Sequence, residues 1–201
     1  MADLHAVADA VLARAADGEQ VEVVVAHSRD TEVRVYEGEV ESLAAAESQG
    51  VGVRVVADRR QGFAYAGSLD ADVVVETLDE ARDNARFGEV DEHVGLAEPD
   101  GVPEAELDLF RQSLADAPTE ATIDLALELE RRVRSGDDRI VGLESTEFGD
   151  SVAEAVIATT TGIRTGGRES TCDLVAYALA EEAGDTQTGF GYSVGREMDD
   201  L

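Results

Sequence analysis

Gly50-Val51-Gly52-Val53-Arg54-Val55-Val56, Asp58-Arg59-Arg60-Gln61-Gly62 and Phe63-Ala64-Tyr65-Ala66 form the stretch whose reading decides the fold. Two short β-prone runs flank a polar loop that ends in glycine, which is the pattern of a β-hairpin. Gly52, inside the first run, predicts a bulge or a close backbone approach.

Upstream, Leu4, Val7, Ala8, Val11, Leu12 and Ala15 recur at helical spacing, and Asp17-Gly18 supplies a helix stop. Strands follow. Val21, Val23 and Val25 begin one, His27 to Asp30 predicts a break, and Val33 and Val35 begin another. Glu37-Gly38-Glu39 reads as a turn, and Val40 to Ala46 as extended chain. Downstream, Ser68 and Asp70 offer N-caps to a helix with Val73, Val74, Leu78, Ala81 and Ala85 as its stripe. Residues 1–88 are therefore expected to form one unit: helix, a meander of about four strands, helix.

Residues 89–117 change character. Pro99 and Pro103 fall inside them and Pro118 at their edge, among glycines and acids, so they read as a connector. Leu107, Leu109 and Phe110 are expected to seek cover there. Residues 118–201 form a second unit. Its helix starts at Pro118-Thr119, carries Thr122, Leu125, Ala126, Leu129 and Val133, and stops at Ser135-Gly136. Five strands are expected after it: 140–147, 152–160, 163–169, 174–181 and 189–194. Phe148-Gly149-Asp150, Thr161-Gly162 and residues 182–185 are the expected turns. The fold class is α+β, two helix-plus-antiparallel-meander units joined by a Pro/Gly/acid-rich connector.

Charge excludes some functions. The chain has 45 acidic residues against 16 basic ones, all of them arginine, for a net charge of -29. A field of that sign repels phosphate backbones and anionic lipid, so nucleic acid and membrane surfaces are not expected partners. The acids are interleaved with Val and Ala, so the chain reads as folded rather than as an acidic tail. In molar salt the Debye length shrinks to about 3 Å, and such a surface becomes tolerable. Adaptation to concentrated salt is the expectation. No apolar run approaches the roughly 20 residues of a membrane span, and the first residues lack a basic n-region. A cytoplasmic protein is expected.

The inventory for chemistry is thin. His5, His27 and His93 are widely spaced, with no His pair at helical spacing around an acid. Cys172 is the single cysteine, and its neighbour Asp173 would raise a thiol pKa, so it reads as a buried apolar filler. Gly189-Phe190-Gly191-Tyr192-Ser193-Val194-Gly195 loosely resembles a phosphate loop, but alternation runs through it and no helix follows. It reads as a strand whose glycines admit another backbone. The Ser, Thr and Gly residues between Thr159 and Thr171 are explained by hairpin turns. Asp137-Asp138 and Asp199-Asp200 are pairs that composition alone produces, and they read as solvated surface. No catalytic, cofactor-binding or metal-binding residue is assigned.

Several stretches, taken together, resemble the TldD/PmbA family, once named modulators of DNA gyrase. They are Glu37-Gly38-Glu39-Val40-Glu41, Gly50 to Arg54 leading into Gly62 to Ala66, Glu106 to Phe110, Asp137 to Ile140, Glu181 to Asp185 and Gly191 to Leu201. The later ones are similar to the PmbA, or TldE-like, branch. The resemblance implies a first and a middle domain of a zinc metallopeptidase assembly acting on peptides or unfolded proteins. It also implies a C-terminal domain that these 201 residues do not match. The family's His-Glu-x-x-x-His zinc motif belongs to the TldD branch and has no counterpart here. Zinc is accordingly expected in a TldD-like partner subunit and not in this chain. The implied role is non-catalytic, structural and substrate-handling, in a heterodimer. A free-standing binding or regulatory protein of the same sheet architecture is the alternative. Strand addition at an exposed sheet edge is the expected way to hold a peptide.

Overall fold

The structure, a computed structural model, describes residues 3–103 and 105–201. Helix α1 (Leu4–Leu12) leads into strands β1 (Gln20–Tyr36), β2 (Glu39–Ala57) and β3 (Arg60–Ala66), then helix α2 (Ala71–Phe87). A short helix α3 (Gln112–Ala115) and helix α4 (Thr119–Gly136) follow. Strands β4 (Ile140–Thr159), β5 (Arg164–Glu182) and β6 (Asp185–Gly195) and a terminal turn of 3-10 helix, Met198–Asp200, complete the chain. The strands form an antiparallel sheet of order β3-β2-β1-β4-β5-β6, so the α+β class holds.

The strands are fewer and longer than the residue pattern predicts. His27 to Asp30 do not break β1, and β2 runs unbroken from Glu39 to Ala57. Phe148-Gly149-Asp150 is not a turn but the middle of β4, and the expected strands 163–169 and 174–181 are one, β5. The polar residues that suggested breaks keep extended backbone because ladder hydrogen bonds do not depend on side-chain polarity. Phe148 is fully buried, which anchors β4 where a turn was expected. A methyl group on Gly149 would stand 3.0 Å from the Asp173 carboxylate, so that glycine makes room for a neighbouring strand's side chain.

Smaller differences have similar causes. Gly52 sits in a regular ladder opposite Tyr65, without a bulge, and the atoms closest to an added methyl are those of the Phe63 ring, from 3.4 Å. Helix α1 ends at Leu12, short of the expected stop at Asp17-Gly18, because tight turns bond Arg14 N to Val11 O and Ala15 N to Leu12 O. In the connector, Leu114 is fully buried while Leu107 stays 70% exposed and finds no cover.

Packing divides the residues into two compact units, each assembled from separate segments. The first comprises the described residues of 1–28, 48–107 and 153–168. Its core joins the odd-numbered valines of β1 and β2 (Val21, Val23, Val25; Val51, Val53, Val55) to Leu4, Ala8 and Val11 of α1 and Val74, Leu78 and Ala81 of α2. Gly62 permits α2 to lie against β3, since a methyl there would fall 2.1 Å from Ala85 N. The second unit comprises 29–47, 108–152 and 169–201. Val33, Val35, Leu114, Ala126, Phe148, Cys172 and Leu174 form its core. There the β1–β2 turn places both Glu37 (φ 55°) and Gly38 (φ 79°) in the left-handed region, as a two-residue hairpin turn requires.

Candidate apolar groove and open sheet edge

Within the second unit, helix α4 and the β5–β6 hairpin enclose a groove of about 580 Å³. The register of the hairpin fixes what faces it. Leu174 pairs with Ser193, Ala176 with Gly191 and Ala178 with Gly189, and these six residues line one face. Leu125, Leu129 and Val133, one turn apart on α4, form the opposite wall, and Leu201 also borders it. The groove is thus a cleft of aliphatic side chains floored partly by glycine backbone.

The other hairpin face carries Tyr177 opposite Phe190, and Tyr192 two residues on. Their rings stack at centroid distances of 5.7 Å (Tyr177–Phe190) and 6.4 Å (Phe190–Tyr192). Phe190 is 66% exposed and Tyr192 70%. Beyond them the sheet of described residues ends, because β6 is the last strand in the order and pairs only with β5. Two charged residues of α4, Glu128 and Arg132, also line it. Glu128 receives hydrogen bonds from Arg131 (2.6 Å) and Arg132 (2.7 Å), which hold its carboxyl down at about 2.

The residues singled out from the sequence lie elsewhere. His5 is on α1, with Nδ1 3.2 Å from Arg164 Nη1, and His27 is within β1. His93 lies in the loop after α2, its backbone N–H donating to Asp91 at 2.8 Å. Among the described residues no group of three or more His, Cys, Asp or Glu stands so as to hold a metal ion. Cys172 is buried in β5, and its thiol is pushed up to about 11 by burial and then by the charges of Asp200, Asp150 and Asp173. Asp137 is engaged by the Arg139 guanidinium at 2.8 and 2.9 Å, which holds its carboxyl well below the usual range. Asp200 is exposed yet occupied, accepting from the backbone N–H groups of Arg196 (2.8 Å) and Glu197 (3.2 Å). The Gly189 to Gly195 stretch is strand, but no atom lies within 4 Å of a methyl added at Gly189 or Gly191. Among the described residues, β5 pairs with these two glycines in the ladder and no other backbone lies over the face where their side chains would stand.

A second concavity of the same unit, about 400 Å³, is lined by Asp30, Glu32, Glu147, Asp150 and Asp173 among others. Burial raises the carboxyl pKa of Asp150, opposed by Arg29 and by a hydrogen bond from Thr31. Burial also raises that of Asp173, reinforced by Glu147 and Glu32. These carboxylates offer excess negative charge without a converging ligand set.

Sequence reasoning missed the groove itself. One signal was present: neither 174–180 nor 186–195 holds a charged residue, in a chain that is 30% charged. Charge depletion on an exposed strand pair marks a surface meant to be covered.

The comparisons bear on this geometry. Residues 21–85 match the PmbA/TldA metallopeptidase domain 1, and residues 112–201 match the PmbA/TldA metallopeptidase central domain. The metalloprotease PmbA of Escherichia coli O157:H7 is 27% identical over 98% of this chain and 44% of its own length. A metalloprotease PmbA homolog of Haemophilus influenzae is 22% identical over 92% of this chain and 41% of its own. The chain therefore spans less than half the length of these curated relatives. Among solved structures, a candidate modulator of a DNA gyrase from Thermotoga maritima superposes with a TM-score of 0.85. It is 20% identical, over 99% of this chain and 45% of that one. TldE from Thermococcus kodakarensis gives a TM-score of 0.80 at 19% identity, over 89% of this chain and 40% of that one. With both domain matches in chain order and the same fold in these structures, the chain belongs to the PmbA/TldD metallopeptidase family, on its PmbA/TldE-like side.

Proposed function

We propose that this chain is a structural and substrate-handling portion of a TldD/TldE-like zinc metallopeptidase assembly that degrades peptides or unfolded proteins. The observation that carries the reading is the largely apolar groove beside an open, uncharged sheet edge, in a member of a metallopeptidase family. Such a surface suits an extended polypeptide, which adds to a sheet edge through its backbone. The described residues do not fit a zinc site, since a catalytic zinc takes three converging protein ligands plus a water. In this reading a TldD-like partner subunit carries the metal and performs the hydrolysis. The assembly would work in the cytoplasm. No described helix is long and apolar enough to cross a membrane.

Co-expression with a TldD-like protein from the same organism tests the reading. Size exclusion in high salt should show a joint complex, and that complex should digest casein or an unstructured peptide with a requirement for zinc. Two outcomes overturn it: no association under any salt condition, or zinc-dependent digestion by this chain alone.

A further inference from the structure

We infer that the groove selects its polypeptide: an extended, uncharged segment of substrate joins β6 as a seventh strand, its large apolar side chains filling the space over Gly189 and Gly191. This rests on the substrate-handling reading above and adds to it a substrate chemistry and two selecting residues.

The edge comes first. Natural sheets blunt free edges with charge, proline or bulges. Strand β6 has none of these after Asp185, and it pairs with β5 without a bulge from Asp185 to Gly195. In a chain with 45 acidic residues and 16 arginines, an uncharged edge of ten residues invites pairing.

Side-chain alternation then fixes the chemistry of the guest. A strand laid along β6 continues its two faces. On one face its residues lie beside Phe190 and Tyr192, which already stack with Tyr177 and extend the aromatic row toward the newcomer. On the other face they lie beside Gly189 and Gly191 and point toward Leu129 and Val133 of α4. Both glycines are free of positive φ, and a methyl on either would meet nothing within 4 Å. No backbone strain or local crowding therefore requires glycine at these two positions. Their effect is to leave the groove open at the point where a neighbouring strand's side chains would lean in. A large aliphatic or aromatic residue fills that gap, whereas alanine leaves it empty and an acid meets Leu129 and Val133, with Arg132 already held by Glu128, within a protein of net charge -29. The same charge opposes a second copy of this chain as the guest.

Fluorescence anisotropy in molar KCl tests this, with fluorescein-labelled nine-residue peptides alternating Leu with Ser, Ala with Ser, or Leu with Glu. The Leu/Ser peptide should bind at least tenfold more tightly than the other two. Gly191→Val and Gly189→Val should each weaken it at least tenfold while melting temperature and circular dichroism stay unchanged. Two further Leu/Ser peptides carry backbone N-methyl groups on alternate residues, one on each parity. Only one edge of the guest pairs with β6, so one parity should abolish binding and the other retain it.

The inference is overturned if Gly191→Val and Gly189→Val bind as the parent does, or if both N-methylated peptides bind equally. It is overturned also if the chain forms a dimer that these variants dissolve, which would make a second copy the occupant. If peptides fail while the complex with the zinc-bearing subunit forms and digests casein, the selection is wrong and the proposed function stands.

Discussion

Glu130 of α4 accepts the backbone N–H of Gly38 at 2.8 Å, and its other oxygen accepts that of Glu37 at 2.8 Å. The residue is only 2% exposed, and its carboxylate is also paired with Arg134, four residues on, at 2.9 Å. A helix thereby holds the tip of the β1–β2 hairpin within the second unit, and α4 is the helix that walls the groove. Glu130→Ala should destabilise the protein by about 2 kcal/mol, because two amides of an exposed turn and the half-exposed Arg134 guanidinium lose their charged acceptor. Glu130→Gln, which keeps one acceptor oxygen, should cost less. Urea unfolding followed by circular dichroism measures both. Equal stability of Glu130→Ala and the parent would mean that water replaces the carboxylate at no cost.

Helix α2 and strand β3 approach through Gly62. A methyl there would stand 2.1 Å from Ala85 N and 2.2 Å from Ala81 O, and backbone atoms cannot swing aside as a side chain can. Gly62→Ala is expected to lose at least about 2 kcal/mol by forcing the helix off the sheet. Gly167→Ala meets nothing within 4 Å and serves as control, with a change below about 1 kcal/mol. Comparable melting curves for the two variants would show that α2 can shift without cost.

What the sequence made legible follows from periodicity. The core valines of β1 at 21, 23, 25, 33 and 35 keep one parity, so both strand segments were found and only their continuity was missed. Polar residues at 27–30 look like a loop when read locally, yet a long ladder carries them. Phe148 beside Gly149-Asp150 misled for the same reason, since turn composition outweighed one buried aromatic. The three long helices, with stripes at 3.6-residue spacing, were located to within a few residues, while the single turn α3 (Gln112–Ala115) inside the expected connector was missed. The groove was not legible because its walls, α4 and β5–β6, are distant in sequence and meet only through the fold. Its uncharged strands were visible in the sequence as composition, without a place.

Cys172 should act as a silent reporter of unfolding. Its thiol is buried, and burial together with Asp200, Asp150 and Asp173 pushes its pKa up to about 11. A disulfide reagent at pH 8 should therefore react only in denaturant, since the thiolate is the reactive form. The raised value has a consequence for stability. The folded state keeps its proton up to about 11 while the unfolded thiol loses it at the ordinary cysteine value. The contribution is complete below that ordinary value and is lost as pH rises toward the folded one. Cys172→Ala should show a shallower alkaline decline than the parent between those limits. A fast reaction of the native protein at pH 8 would place the thiol at the surface and refute the argument.

The last expectation concerns salt. Forty-five acids face 16 arginines, and many of those arginines are already engaged, Arg82 with Glu19 and Asp79, Arg139 with Asp137, Arg132 with Glu128. The surplus of acids over arginines leaves the net charge of -29 uncompensated within the protein. Their repulsion depends on screening. The Debye length is about 3 Å at 1 M salt, about 10 Å at 0.1 M and about 30 Å at 0.01 M. At the lowest of these, charges right across a small domain feel one another, and expansion of the chain relieves them. Melting temperature should accordingly fall by about 10 °C or more between molar and 10 mM KCl, which corresponds to roughly 3 kcal/mol for a chain of this size. NaCl should restore stability as KCl does, because screening depends on ionic strength. Sucrose at matched osmolality should not, because it leaves the Coulomb field intact. Thermal melts followed by circular dichroism across the two salts and sucrose decide the matter. A melting temperature indifferent to KCl, or one that sucrose restores equally well, would remove charge repulsion as the cause.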